Sequence, residues 1–141
     1  MLIKLFLLIF IFVTPQVTTS SEIKILYKIE NEIITNQDIV NEVNYLLALN
    51  NNLKNLSKKN LSKIAMNSVI NEKIKLLEIQ KNYDVSNESE ELKKLINNNL
   101  FNRLNLSKED ELKNFFGDYN LNLNEIKSRI KIEFLWNKLI Y

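Results

Sequence analysis

The apolar positions of this chain change their period twice. Leu5 to Val13 is an unbroken apolar run. Ile23, Ile25 and Tyr27 then alternate with Lys24, Leu26 and Lys28, and from Ile39 onward apolar residues recur every three to four positions. In order, these patterns predict a short leader segment, a half-buried strand and a series of amphipathic helices. Ile29 leads into Glu30-Asn31-Glu32, and Ile33-Ile34 begins a return strand, so a hairpin is predicted with its turn at Asn31-Glu32.

Five helices follow. Thr35 and Asp38 form a capping-box-like pair, with Asp in place of Glu, and open the first. Its inward face is Ile39, Val43, Leu46 and Leu47, and Asn50-Asn51-Asn52 ends it. The second helix is predicted from about Ser62 to Tyr83. It carries one stripe at Met66, Ile70, Ile74 and Leu77 and another at Ala65, Val69, Leu76 and Ile79. Two stripes imply burial on two sides, which makes this the central helix. After a break at Asp84-Val85-Ser86, Ser86 or Asn87 caps a third helix that turns Leu92, Leu95 and Ile96 inward.

A loop is predicted at about residues 102–106. Ser107 and Asp110 then cap a short fourth helix bearing Leu112, Phe115 and Phe116. Gly117, the one glycine, is assigned the left-handed position beyond its end. The fifth helix opens at Asn122 or Asn124. Ile126, Ile130 and Phe134 form one stripe, while Ile132, Leu135, Trp136 and Leu139 occupy much of the remaining circumference. A helix apolar almost all round is normally buried, so something outside residues 21–141 is expected to cover part of it. The predicted class is mainly α: a short N-terminal β-hairpin and about five helices packed around a central one.

Lys4 precedes the apolar run, Pro15 follows it, and Val17-Thr18-Thr19-Ser20 offers small residues for cleavage. Residues 1–20 therefore read as a signal peptide and 21–141 as one helical domain. The run is too short for the roughly 20 residues that span a bilayer, so no stable membrane insertion is expected after cleavage. No Cys follows it to carry a lipid.

Of the 19 basic residues one is Lys4, which leaves 18 against 17 acidic beyond the leader. A balance this even, with Lys interleaved among Glu and Asn, gives no electrostatic footprint for nucleic acid. The richness in Asn, Lys and Ile reads as the nucleotide bias of an AT-rich genome. With no Cys there are no disulfides, and the apolar core must supply stability.

Catalytic chemistry finds no support in these residues. The absence of His and Cys removes the usual metal ligands, the Ser-His and Cys-His dyads and most acid–base schemes near neutral pH. One glycine cannot build a phosphate loop. Glu88, Glu90 and Glu91, like Glu109, Asp110 and Glu111, sit at helix starts, where they complement the helix dipole. Ser57-Lys58 and Ser107-Lys108 are neighbours on polar surface and do not read as a Ser–Lys dyad. No catalytic residue, metal or cofactor is assigned, and the chain does not read as an enzyme.

Glu30-Asn-Glu-Ile-Ile-Thr-Asn-Gln-Asp-Ile39 resembles the opening of the SurA-type N-terminal domain, the chaperone module of periplasmic folding factors and their parvulin-like relatives. Val69-Ile-Asn-Glu-Lys-Ile74 and Leu77-Glu-Ile-Gln-Lys-Asn-Tyr-Asp-Val-Ser86 resemble its central helix and exit. Leu106-Ser-Lys-Glu-Asp110 resembles the next cap. Leu123-Asn-Glu-Ile-Lys-Ser-Arg-Ile-Lys-Ile-Glu133 resembles the long final helix, with Arg129 in the usual basic slot. The family tends to have a residue tolerant of the left-handed conformation where this chain has its turn, and often a glycine where it has Tyr83. Prolyl-isomerase domains usually follow in the family, and nothing in this chain corresponds to them.

The resemblance implies a periplasmic, ATP-independent chaperone domain whose partners are unfolded outer-membrane clients. The alternative is the N-terminal fragment of a secreted peptidyl-prolyl isomerase whose catalytic domain lies elsewhere. Most aromatics at helical spacing are expected to be core; Phe115, Phe116, Tyr119, Trp136 and Tyr141 are the candidate client-binding residues, with Trp136 and Tyr141 expected to be the most exposed. A homodimer through the C-terminal helix would be another way to cover its apolar surface.

Overall fold

In the computed structural model, residues 22–141 are described, and the expected leader and its cleavage site lie outside the described residues. The elements run β1 (Ile25–Ile29), β2 (Glu32–Thr35), α1 (Asn36–Leu49), a 3-10 turn (Asn51–Asn55), α2 (Lys58–Gln80), α3 (Glu90–Leu104), α4 (Glu109–Gly117) and α5 (Leu123–Ile140). This is the mainly helical arrangement, opened by a short hairpin, that the periodicity predicts. α2, expected at the centre, packs against α1, β2 and α5, whereas α3 and α4 pack against α5.

β1 and β2 pair antiparallel, with Ile29 opposite Glu32, Lys28 opposite Ile33 and Tyr27 opposite Ile34, and a bulge between Ile25 and Tyr27. The turn residues are therefore Glu30 and Asn31, one position earlier than predicted. Burial decides the register. Ile34 is wholly buried on the helices, and a one-residue slip would turn it out to solvent. The consequence falls on Glu30, which takes φ 51° in the left-handed region. Asn36 fastens the hairpin to α1, its N–H donating to the Lys24 carbonyl at 2.9 Å and its Oδ1 accepting from the Lys24 N–H at 2.7 Å.

The cap of α1 is the predicted one. Thr35 Oγ1 accepts from the Asp38 N–H, and Asp38 Oδ2 accepts from the Thr35 N–H at 2.7 Å. Of its predicted inner face, Ile39 is buried while Val43, Leu46 and Leu47 are half-buried. The helix begins its second turn with a buried charge, Glu42. α2 starts four residues before the predicted position, because Ser57 accepts the Asn60 N–H and caps it there. Its buried stripe is Leu61, Ala65, Val69 and Ile79. The other predicted stripe is half-buried at Met66, Ile70 and Leu77 and exposed at Ile74.

Three other predicted caps move, each for a visible reason. Ser86 and Asn87 are held by the Asp84 carboxylate, so Ser89 caps α3 instead. α3 then continues to Leu104, through most of the predicted loop, and Asn105 closes it at φ 53°. Leu95, predicted to face inward, is exposed, whereas Ile96 is buried. At α4 the Glu111 carboxylate accepts from the N–H groups of Ser107 (2.9 Å) and Lys108 (3.1 Å), and no Ser107–Asp110 box forms. Gly117 is the last residue of α4 and has no positive φ; Asn120, at φ 56°, takes the left-handed position. α5 opens at Asn122, whose side chain accepts from the Asn124 N–H.

Two apolar cores result. The larger joins α3, α4 and α5 to the end of α1 and centres on Ile96, Leu100, Leu112, Phe116 and Ile126. The smaller, formed by Ile34, Ile39, Ala65 and Val69, holds β2 against α1 and α2.

Two substitutions test the backbone assignment. A Cβ at Gly117 would meet nothing within 4 Å, so Gly117→Ala is expected to stabilise the domain by about 0.5–1 kcal/mol in urea unfolding. Glu30→Gly relieves the left-handed turn position, and a gain of roughly 0.5–1 kcal/mol is expected after the added unfolded-state entropy. A loss at either site would contradict the assigned φ.

Candidate functional site

Two features distinguish the surface and interior. The first is β1. Ile25 is 66 % and Tyr27 46 % exposed, and Ile23, Leu26 and Ile33 are exposed beside them. Among the described residues, β1 has β2 on one edge and no strand on the other. A free edge leaves a row of main-chain N–H and C=O groups open to pairing with another chain. Here that edge carries the exposed apolar side chains of Ile25, Leu26 and Tyr27.

The second feature is a charged cluster where α1, α2 and α5 meet. Arg129 of α5 is half-buried, and its Nη2 meets Oε2 of Glu42 on α1 and Oε2 of Glu72 on α2, the latter at 2.6 Å. Its guanidinium lies 4.1 Å from the centre of the Tyr45 ring, which packs on the larger core. Burial raises the Glu72 carboxyl above its ordinary pKa, against the opposing pull of Arg129. Burial likewise raises the Tyr45 hydroxyl. For Arg129 burial works to lower the pKa, but the Glu72 and Glu42 carboxylates outweigh it and hold it above its ordinary value. Beside the cluster, a cavity of about 430 Å³ opens between these helices.

The five predicted client-binding aromatics do not form one patch. Phe116 is fully buried in the larger core and is unavailable to a client in the folded domain. Phe115 stacks edge-on against Phe116 at 5.2 Å and lies 5.6 Å from Tyr119, so both half-buried rings support that core. Trp136 is also half-buried, and the Lys75 ammonium stands 5.9 Å from its ring. It lies two residues beyond Phe134, which packs on the larger core, and two residues are about 200° of helix. Trp136 therefore faces away from the Phe115 group, toward α2. Tyr141 alone is fully exposed.

The sequence reading passed over β1 as a surface and Glu42 as a buried charge. For β1 a signal was available, because Leu26 puts an apolar residue on the face that should be polar. For Glu42 the only clue was its place beside Ile39 and Val43 on an apolar face. Among the described residues no group of acidic side chains is arranged to hold a metal ion, and no helix is long and apolar enough to cross a membrane. Compared with known proteins, the chain matches no protein-family model, no curated protein and no solved structure.

The charged cluster has a measurable pH signature. Removing Arg129 strands two buried carboxylates, and Arg129→Met is expected to cost about 3–5 kcal/mol at pH 7. The cost should shrink in acid, where protonation relieves the stranded acids. The raised pKa of Glu72 means the folded state holds its proton more tightly than the unfolded chain. Its contribution to stability is fullest below the ordinary glutamate value of about 4.3 and is lost as pH rises through the elevated folded value. Glu72→Gln is therefore expected to flatten the fall in unfolding free energy across that window, measured by urea melts at stepped pH.

Proposed function

We propose that this domain is an ATP-independent polypeptide-binding module that captures extended, apolar, strand-forming segments of unfolded proteins, as a SurA-type chaperone domain does. The free edge of β1, with Ile25, Leu26 and Tyr27 exposed along it, carries the reading. An incoming strand would gain main-chain hydrogen bonds from the edge and contacts from Ile25, Leu26 and Tyr27. Unfolded outer-membrane β-barrel proteins present such alternating apolar strands, and a leader would deliver the domain to the periplasm where they pass. Tyr141 and the exposed end of α5 offer further apolar contact. Several weak contacts of this kind permit rapid release without a nucleotide.

The residues that support this reading differ from the aromatics first singled out. β1 takes the place of Phe115, Phe116 and Tyr119, which serve the core.

Light scattering during dilution of a denatured β-barrel protein tests the proposal directly. The full chain at several-fold molar excess is expected to suppress aggregation. The double variant I25K/Y27K, which places charge on the edge, is expected to lose most of that effect while remaining folded by far-UV circular dichroism. Absence of suppression by the unaltered chain would sink the proposal, and full activity in the double variant would remove β1 from it.

A further inference from the structure

The cavity beside Arg129 has a chemistry that polypeptide capture by β1 does not use. Four carboxylates contribute to its wall (Asp38, Glu42, Glu72 and Glu125) against two cations, Lys73 and Arg129. Lys73 is already committed, its ammonium lying 2.7 Å from Glu32 on β2. Arg129 must serve Glu42 and Glu72 together, through one nitrogen. The decisive residue is Glu42. It is 1 % exposed, and its Oε1, like the Nε of Arg129 beside it, is buried without a hydrogen-bond partner within the protein, so a ligand reaches it by a small rotation of the Glu42 side chain toward the cavity. A buried carboxylate oxygen left unpaired carries its full desolvation cost, and a donor arriving from the cavity would remove it.

We infer that this cavity is a binding site for an organic cation, a primary ammonium or guanidinium on a short aliphatic stem, with Glu42 as its principal acceptor. A volume of about 430 Å³ falls in the range of small-ligand sites. Val69, Leu76 and Ile132 supply an apolar wall for the stem, and Glu42, with Glu72 near it, receives the charged head. Burial raises the Glu72 carboxyl, against the pull of Arg129, and the neighbouring Glu42 charge adds to the rise. A bare metal ion does not fit as well, because the described residues hold no group of acids arranged to ligate one. The cation has two sources with the same chemistry: a free amine, or a basic side chain of a bound polypeptide. The site does not involve β1, so it stands or falls separately from strand capture.

The test is an amide and arginine Nε–H NMR titration of the full chain with three probes at constant ionic strength. These are n-butylammonium, a hexapeptide with one central lysine, and the same hexapeptide with norleucine in its place. Butylammonium is expected to shift the signals of Glu42, Glu72, Ser128 and Arg129 saturably, and norleucine peptide to leave them unmoved. Glu42→Gln is expected to weaken binding about tenfold or more, as loss of a buried charged partner does. Glu125→Gln, on an exposed wall residue that the fold does not need, is expected to weaken it severalfold. A lysine peptide that binds more tightly than butylammonium identifies a polypeptide as the source, and equal affinity identifies a free amine. Either result supports the site. No shift with butylammonium or the lysine peptide, equal shifts with norleucine, or affinity untouched by both variants would overturn it, whatever the outcome of the aggregation assay.

Discussion

One guanidinium sets the geometry of this domain. Arg129 reaches from α5 to Glu42 on α1 and Glu72 on α2, and it does so between the two apolar cores. On the side of the larger core it lies over Tyr45. On the other it shares the cavity wall with Val69, which belongs to the smaller core. Apolar packing is tolerant of small slides and rotations, whereas a buried ion pair is not, because a displaced partner leaves a charge without compensation. The cores supply the driving force for folding, and Arg129 selects the one helix arrangement in which its two acids are met.

The hairpin depends on that selection. Isolated two-stranded sheets are marginal in water, so β1 and β2 need a surface to lie on. Ile34 provides the apolar anchor, set between α1 and α2. Thr35 then does two things at once, ending β2 and capping α1 through Asp38. Because strand and helix share that residue, the orientation of the hairpin follows from the orientation of α1. β1 is held through β2, through Ile29 against the smaller core and through Asn36, and among the described residues its outer edge stays open. An exposed apolar edge is normally a liability for aggregation. Val40, Ile64, Ile74 and Leu95 are exposed too, but on helices whose main-chain groups are already paired, so β1 differs from them in offering hydrogen bonds beside its apolar side chains.

Legibility in the sequence followed the range of the interaction. The Thr35–Asp38 cap, the hairpin and five helices rest on local spacing, and each was readable from it. The moved caps show the limit. Ser86 is a good capping residue, but Asp84 two positions earlier competes for it and wins. Glu111 displaced Ser107 at α4 because one carboxylate there accepts two N–H groups. Gly117 looked like a left-handed residue because glycine favours that region, yet Asn120 adopts it. The site was less legible than the fold. Aromatic residues were singled out for their type, and type does not distinguish Phe116 in the core from Tyr141 in solvent. Arg129 stood out only through a resemblance, and its partners lie 87 and 57 positions away in sequence, where no periodic pattern connects them.

Neighbouring residues on α2 show why a charged cluster is more informative here than an apolar one. Glu72 pairs with Arg129 on α5, while Lys73, the next residue, pairs with Glu32 on β2 at 2.7 Å. Successive residues of a helix point about 100° apart, so the two bonds fix both the rotation of α2 and its height against two different elements. A turn of α2 that kept its apolar stripes buried would still break one of them. Well-packed hydrophobic residues often replace such buried ions without loss of stability, so stability alone does not explain the cluster. What the ions add is register, and register is what aims the free edge of β1 outward and leaves Glu42 facing an acidic cavity.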